Sequence, residues 1–80
     1  MKLLYSKTCV KYLQKLERNV AQKIVLAIEK LPSEGDINKL KGKKIKNIYR
    51  LRIGKFRVIY SMKEEIIKII KIDTRGDIYK

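Results

Sequence analysis

Two stretches in the first half of the chain have apolar residues at the spacing of an amphipathic helix. The stripe of the first stretch consists of Cys9, Tyr12, Leu13 and Leu16. The stripe of the second stretch consists of Val20, Ile24, Ala27, Ile28 and Leu31. Because only a few residues separate the two stretches, they predict an antiparallel helix hairpin that buries both stripes against the rest of the chain.

The sequence also indicates where these helices begin and end. Ser6 stands where an N-cap hydroxyl is expected ahead of the first helix. Asn19 and Gln22 have the spacing of a capping box at the start of the second helix. That helix is expected to stop at Leu31, because Pro32 disfavours a helical conformation in the residue before it.

After residue 39 the apolar positions recur with a period of two, which is typical of strands. The alternating apolar residues are Tyr49, Leu51, Ile53, Phe56, Val58 and Tyr60. Gly54 and Lys55 separate the two runs and predict a two-residue hairpin turn. A second turn over 62–65 leads to a third strand over 66–72. Five of its seven residues are apolar, so we expect both of its faces to be largely covered.

The remaining segments complete the predicted topology. Residues 2–5 predict a short first strand, and the polar residues 33–38 predict a loop. We therefore expect one α+β domain spanning residues 1–80. It has an N-terminal strand, an antiparallel helix hairpin and a three-stranded antiparallel meander, with one helical layer on one sheet face. The other sheet face stays open, and we expect function there.

Composition narrows the class of protein. The chain has no apolar run of the length of a membrane span, and nothing behind its N-terminus resembles a secretion signal. Its single cysteine, Cys9, cannot form an internal disulfide, so we expect a cytoplasmic protein with Cys9 in its core. Since histidine is absent, we expect neither a structural zinc centre nor a Cys–His catalytic pair. The spacing of the carboxylates suggests no metal site, and no cofactor is expected.

Charge points to a polyanionic partner. The chain has 21 Lys and Arg residues against 8 Asp and Glu residues, which gives a formal net charge of +13. Such a surface attracts nucleic acid, acidic protein or anionic lipid, although a Lys-rich composition alone produces the same total. The distribution is uneven, because residues 39–63 include ten basic residues and no acidic one. The charge is therefore concentrated around the predicted hairpin.

Three arginines are expected to meet on one face of this hairpin. With Gly54 and Lys55 in the turn, Arg52 lies opposite Arg57 at about 5 Å, and Arg50 lies about 7 Å from Arg52 along the strand. Like charges directly opposite each other destabilise a sheet, and no acidic residue lies nearby in the sequence. The planar guanidinium fork suits phosphate oxygens. The cluster predicts a phosphate or polyanion site, and the alternative is a basic face that deters aggregation.

Three segments resemble the RelE toxins of the RelE/ParE superfamily of toxin–antitoxin systems. They are LKG at 40–42, YRLRIGKFRVIY at 49–60 and RGDIY at 75–79. The resemblance covers nearly the whole chain. The YRLRIG hairpin is specific for the superfamily but less so for the target, since gyrase-directed ParE toxins share much of it. The resemblance implies a RelE-like fold and a ribosome-dependent mRNA endonuclease that cuts without metal, by attack of a ribose 2′-hydroxyl on the phosphate.

The resemblance also implies roles for individual residues. Arg50 and Arg52 match basic residues that contact and activate the scissile phosphate, and Arg57 matches an arginine that supports the transition state. Arg75 and Tyr79 match an arginine and a tyrosine of the C-terminal stretch. Tyr79 is expected to act as a base, because nearby cations favour a phenolate, or to stack on an mRNA base. A diffuse patch facing ribosomal RNA is expected from Lys39, Lys41, Lys43, Lys44, Lys46, Lys55 and Lys80.

The implied partners are the ribosome with its mRNA and an acidic, RelB-like antitoxin. DNA is expected to be contacted only through the antitoxin complex, and no membrane is expected to be bound. The free toxin is expected to be a monomer, because a charge of +13 opposes self-association. Two alternatives remain open. One is a ParE-like toxin that inhibits DNA gyrase by binding it, and the other is an inactive basic RNA-binding module.

Overall fold

The computed structural model describes residues 1–40 and 47–74 of the chain. Strand β1 (Lys2–Tyr5) is followed by helices α1 (Lys7–Lys15) and α2 (Arg18–Glu29). Four strands follow, namely β2 (Asp36–Lys39), β3 (Ile48–Ile53), β4 (Phe56–Lys63) and β5 (Ile66–Thr74). Within these two described ranges, no helix is long and apolar enough to cross a membrane.

The strands form one five-stranded mixed sheet in the order β1-β5-β4-β3-β2. Strand β1 runs parallel to β5, and the other three pairs are antiparallel. Helix α1 packs on β5 and α2 packs on β3. The predicted α+β class is therefore confirmed, with its N-terminal strand, its helix hairpin, its meander of β3, β4 and β5, and one helical layer.

Strand β2 corrects the sequence prediction, which treated residues 33–38 as a loop. Residues Asp36 to Lys39 form an edge strand that pairs antiparallel with β3. Only Ile37 of its four residues is apolar, and it lies opposite the buried Leu51. An edge strand with a single apolar residue has no alternation to detect, and this explains why the hydrophobic pattern missed it.

One of the predicted helix ends is confirmed, and two others differ from the prediction. The Ser6 hydroxyl accepts a hydrogen bond from the backbone amide of Cys9 at 3.1 Å, as expected for an N-cap. The capping box was wrong: α2 starts at Arg18 after the N-cap Glu17, whose side chain makes no capping bond, and Asn19 lies inside the helix. Helix α2 also ends at Glu29, before the predicted end at Leu31.

Strand β5 is covered on one face only, contrary to the expectation for so apolar a run. A bulge in its pairing with β4 places Ile59 opposite Lys71 but Tyr60 opposite Ile69, so Ile70 is the extra residue. The bulge shifts the alternation by one position. Ile70 is consequently 42% exposed although the run looks continuous in sequence.

The core lies between the helices and one face of the sheet. The most deeply buried side chains, each less than 2% exposed, are Cys9, Ile24, Ile28, Leu51, Val58, Tyr60, Ile67 and Ile69. The prediction that Cys9 belongs to the core is confirmed, and its thiol lies 3.5 Å from the carbonyl oxygen of Ile69. No helix among residues 1–40 and 47–74 covers the opposite sheet face, which is called the open face below.

Candidate functional site

The strand register brings four charged side chains into one row across the open face. Asp36 pairs with Arg52, Arg52 pairs with Arg57, and Arg57 pairs with Asp73. The next row on the same face contains Arg50, which lies between Asn38 and Ile59. The predicted turn and register are thus confirmed. Arg50, Arg52 and Arg57, called the arginine cluster below, lie together near the tip of the hairpin.

Two of the arginines are buried to an unusual degree for side chains on the sheet face opposite the helices. Arg50 is 8% exposed and Arg57 is 6% exposed, whereas the side chain of Arg52 is 36% exposed. Arginine is rarely buried to this extent unless its charge is compensated. Two guanidinium groups are therefore fixed in the sheet surface, and the third is more accessible to solvent.

Two carboxylates flank the cluster. An oxygen of Asp36 lies 3.7 Å from Nη2 of Arg50, and the other lies 3.9 Å from Nε of Arg52. On the far side, Asp73 is the cross-strand neighbour of Arg57, and its carboxylate pairs with the ammonium of Lys71 at 2.9 Å. The sequence placed no acid near the arginines, but the neighbouring strands β2 and β5 supply one on each side.

The distances to Asp36 leave donors of the cluster available. Both exceed hydrogen-bond length, so Asp36 balances charge without occupying the guanidinium donors. Nε of Arg50 and Nε of Arg52 are buried and have no hydrogen-bond acceptor within the part of the chain that the structure describes. An unmet buried donor costs about 1–3 kcal/mol. An oxyanion bound at the cluster would meet that need, and phosphate matches the fork geometry.

The other residues predicted for the site are placed differently. Lys39 lies opposite Tyr49, so it is on the helix side of the sheet at the edge strand and not beside the arginine cluster. Lys55 occupies the hairpin turn, with its ammonium 5.6 Å from the centre of the Phe56 ring. The remaining candidates lie outside the described residues: Lys41, Lys43, Lys44, Lys46, Arg75, Tyr79 and Lys80. Their predicted roles stay predictions.

Tyr5 and Tyr60 are poorly suited to proton transfer. Tyr49 and Tyr60 stack on the helix side of the sheet, with ring centres 5.4 Å apart. Burial, with a smaller contribution from Tyr49, raises the pKa of Tyr60 above its ordinary value. Burial, with contributions from Glu29 and Cys9, likewise raises the pKa of Tyr5. Tyr5 and Tyr60 therefore remain neutral. Tyr60 is buried in the core, and Tyr5 is partly buried against it.

Replacing Asp36 by Asn is expected to strengthen phosphate binding at the cluster. The substitution preserves shape but removes the negative charge beside Arg50 and Arg52, which repels an anion bound there. Since Asp36 is 57% exposed, solvent screens the effect, and we expect affinity for inorganic phosphate to rise about fivefold, or ~1 kcal/mol. Thermal unfolding at increasing phosphate concentration measures it. Glu34→Gln is the charge-matched control, and an equal shift in both variants would reject a local role for Asp36.

Comparison with known proteins agrees with the resemblance found in the sequence. Residues 3–79 match the family described as ParE toxin of type II toxin–antitoxin system, parDE. Toxin RelE3 of Methanocaldococcus jannaschii is 34% identical over 84 residues, which cover 99% of this chain and 96% of that protein. This similarity extends over all the elements described above.

Solved structures give the same result. The toxin in the RelB–RelE antitoxin–toxin complex from Methanococcus jannaschii superposes with a TM-score of 0.76 at 29% identity, covering 95% of this chain and 94% of that one. The archaeal RelE–RelB complex from Pyrococcus horikoshii OT3 gives a TM-score of 0.77 at 30% identity, with 94% of each chain covered. The chain therefore belongs to the RelE/ParE superfamily and is a RelE-like toxin of a type II toxin–antitoxin system.

Proposed function

We propose that this toxin is an endoribonuclease that cuts mRNA on the ribosome and that the arginine cluster holds the scissile phosphate. The observation that carries the proposal is the cluster itself. Three guanidinium groups share one patch of the open face, and the buried Nε atoms of Arg50 and Arg52 lack an acceptor among the described residues. Single-stranded RNA offers an accessible phosphate with the charge and geometry for this patch.

The proposed chemistry is an in-line transesterification. The ribose 2′-oxygen forms a bond to phosphorus as the bond from phosphorus to the 5′-oxygen breaks, which leaves a 2′,3′-cyclic phosphate and a 5′-hydroxyl. The 2′-hydroxyl proton passes to a base, and the 5′-oxygen takes a proton from solvent water. Negative charge grows on the non-bridging oxygens, and cations fixed before the reaction stabilise that charge most effectively. Arg50, Arg52 and Arg57 supply such cations, without a metal ion as co-reactant.

The proton-transfer groups are assigned by resemblance. Tyr79 is the proposed base, and Arg75 a further stabilising cation; both lie outside the described residues. Arginine keeps its proton at physiological pH, so the cluster serves as an electrostatic clamp and not as an acid. With no histidine for acid–base catalysis, the enzyme is expected to rely on the ribosome for positioning its substrate.

An acidic, RelB-like antitoxin is the proposed partner that silences the toxin. The similar archaeal toxins were crystallised with RelB. A net charge of +13 favours fast association with an acidic chain. Contact with DNA is proposed for the toxin–antitoxin complex only, and the free toxin is proposed to be monomeric and to bind the ribosome.

An in vitro translation assay with a defined mRNA tests the proposed function. Adding the toxin is expected to produce a cut within the codon in the ribosomal A site, mapped by primer extension, and to leave naked mRNA whole. The cut should persist with 1,10-phenanthroline, which removes transition metals. Intact mRNA with normal translation would reject the proposal, and inhibition of gyrase supercoiling would then support the ParE-like alternative.

A further inference from the structure

A second basic feature lies at the other end of the open face. A cavity of about 370 Å³ is lined by Asn47, Ser61, Lys63, Glu64, Ile66 and Lys68. It is called the lysine pocket below. Its lining contains two ammonium groups, one hydroxyl and one amide, against a single carboxylate. The pocket therefore offers more donors and positive charge than acceptors, as a site for a phosphate group requires.

The register aligns the lysine pocket with the arginine cluster. Ser61 lies on β4 four residues beyond Arg57, and residues at even separations share a face of the strand. The two sites are thus about 13 Å apart along the strand. An extended single strand of RNA covers that distance with about two nucleotides.

Positive side chains occur in every row of the open face from the arginine cluster to the lysine pocket. Lys71 lies opposite Ile59 in the row of Arg50, where its ammonium pairs with Asp73. The next row holds Lys68, which lies opposite Ser61. Lys2 reaches the same end of the face, since β1 pairs it with Ile66. Among the described residues, Asp36 and Asp73 lie in the row of Arg52 and Arg57, and Glu64 lies at the far end, in the turn beside the pocket. A polyanion crossing from the cluster to the pocket therefore meets cations in every row.

Backbone conformations at the rim of the lysine pocket fix its shape. Asn47 adopts a left-handed conformation with φ of 62°, and its carbonyl oxygen accepts a hydrogen bond from the amide of Met62 at 3.0 Å. Glu64 occupies the β4–β5 turn with φ of 58°. The Glu64 carboxylate lines the pocket and repels an anion there. Removing this charge should therefore strengthen phosphate binding in the pocket.

We propose that the lysine pocket binds a second phosphate of the same RNA strand, about two nucleotides from the phosphate held by the arginine cluster. The inference rests on the proposed function, because it takes RNA as the substrate. The toxin then binds a single strand of at least four nucleotides along β4. Lys68 is a positioning residue that holds the strand away from the reacting atoms. Sequence preference is not expected from this contact, since a phosphate is common to every nucleotide.

Binding of short RNAs to the full-length toxin tests the proposal. The probes are a fluorescent dinucleotide, with one phosphate, and a tetranucleotide, with three; both carry 2′-O-methyl groups to prevent cleavage. Lys68→Gln is expected to weaken tetranucleotide binding about tenfold and lower its salt slope by about one, with dinucleotide binding unchanged. Glu64→Gln should strengthen tetranucleotide binding only. Lys11→Gln, a change of the same charge on α1, is expected to alter neither.

The outcomes separate this inference from the proposed function. Arg57→Ala should weaken binding of both probes. If it does so while Lys68→Gln changes the binding of neither probe, the second phosphate site is rejected and the arginine site stands. An equal loss of affinity for both probes in Lys68→Gln would show that the pocket contributes only general positive charge, and it would overturn the inference. Loss of antitoxin binding with unchanged RNA binding would assign the pocket to the protein partner and overturn it as well. If Arg57→Ala affects neither probe, the proposed function itself fails.

Discussion

Replacing Arg57 by Ala is expected to lower the rate of ribosome-dependent mRNA cleavage about 10²- to 10³-fold, the loss typical for removal of one preorganised oxyanion donor. Arg57 is 6% exposed and lies directly opposite Arg52 on the open face. Its charge is therefore fixed before the substrate arrives. The cleavage rate is measured by primer extension under single-turnover conditions, with folding checked by circular dichroism.

Two further variants identify the cause of the loss. Arg57→Lys retains the charge but not the planar fork, so an intermediate rate is expected. Arg18→Ala makes the same side-chain truncation at an exposed site where α2 begins, and it should cleave at the wild-type rate. Wild-type activity in a folded Arg57→Ala toxin would contradict the assignment of the arginine cluster as the active site.

Replacing Gly35 by Ala is expected to destabilise the fold by about 2–4 kcal/mol, from backbone strain and overpacking together. Gly35 has a φ of 130°, and a Cβ atom there would lie 2.6 Å from Cδ1 of Leu51. Leu51 lies on β3 and its side chain is buried in the core, so it has little room to move. We expect the midpoint of thermal unfolding to fall by about 10–25 °C.

Gly54→Ala is the matched control for this clash. Gly54 also has a positive φ, 56°, but no atom lies within 4 Å of an added Cβ. Only the conformational cost of about 1–2 kcal/mol is expected there. Gly35 precedes Asp36 and leads the chain into β2, so its substitution should also disturb the carboxylate beside Arg50 and Arg52. Equal losses of stability in the two variants would show that the Leu51 side chain moves away from the added methyl group.

The hairpin could be predicted from sequence because its signals are local. Alternating residues and a glycine turn fix the register of β3 and β4, and this register alone places Arg52 opposite Arg57. The surroundings of the cluster could not be predicted in the same way. Asp36 is far from the arginines in sequence and reaches them through a four-residue edge strand with one apolar position. Such a pairing depends on tertiary contacts, which periodicity does not encode.

The sequence pattern did not reveal the bulge in β5, for a related reason. Its run of isoleucines fits a strand in either phase, so the sequence does not show where the alternation shifts. That shift is what places Lys68 and Lys71 on the open face with the arginines. The lysine pocket was missed because three strands, β3, β4 and β5, have to be aligned before its residues come together.

The measurement that tests the central claim most directly uses ribosomes programmed with two mRNAs. One is unmodified, and the other carries a single 2′-O-methyl group on the A-site nucleotide whose 2′-oxygen attacks the phosphate. The toxin is expected to cut the first and leave a 2′,3′-cyclic phosphate end, and to leave the second whole at that position. Equal cleavage of both mRNAs, or of neither, would contradict 2′-hydroxyl attack at a phosphate held by Arg50, Arg52 and Arg57.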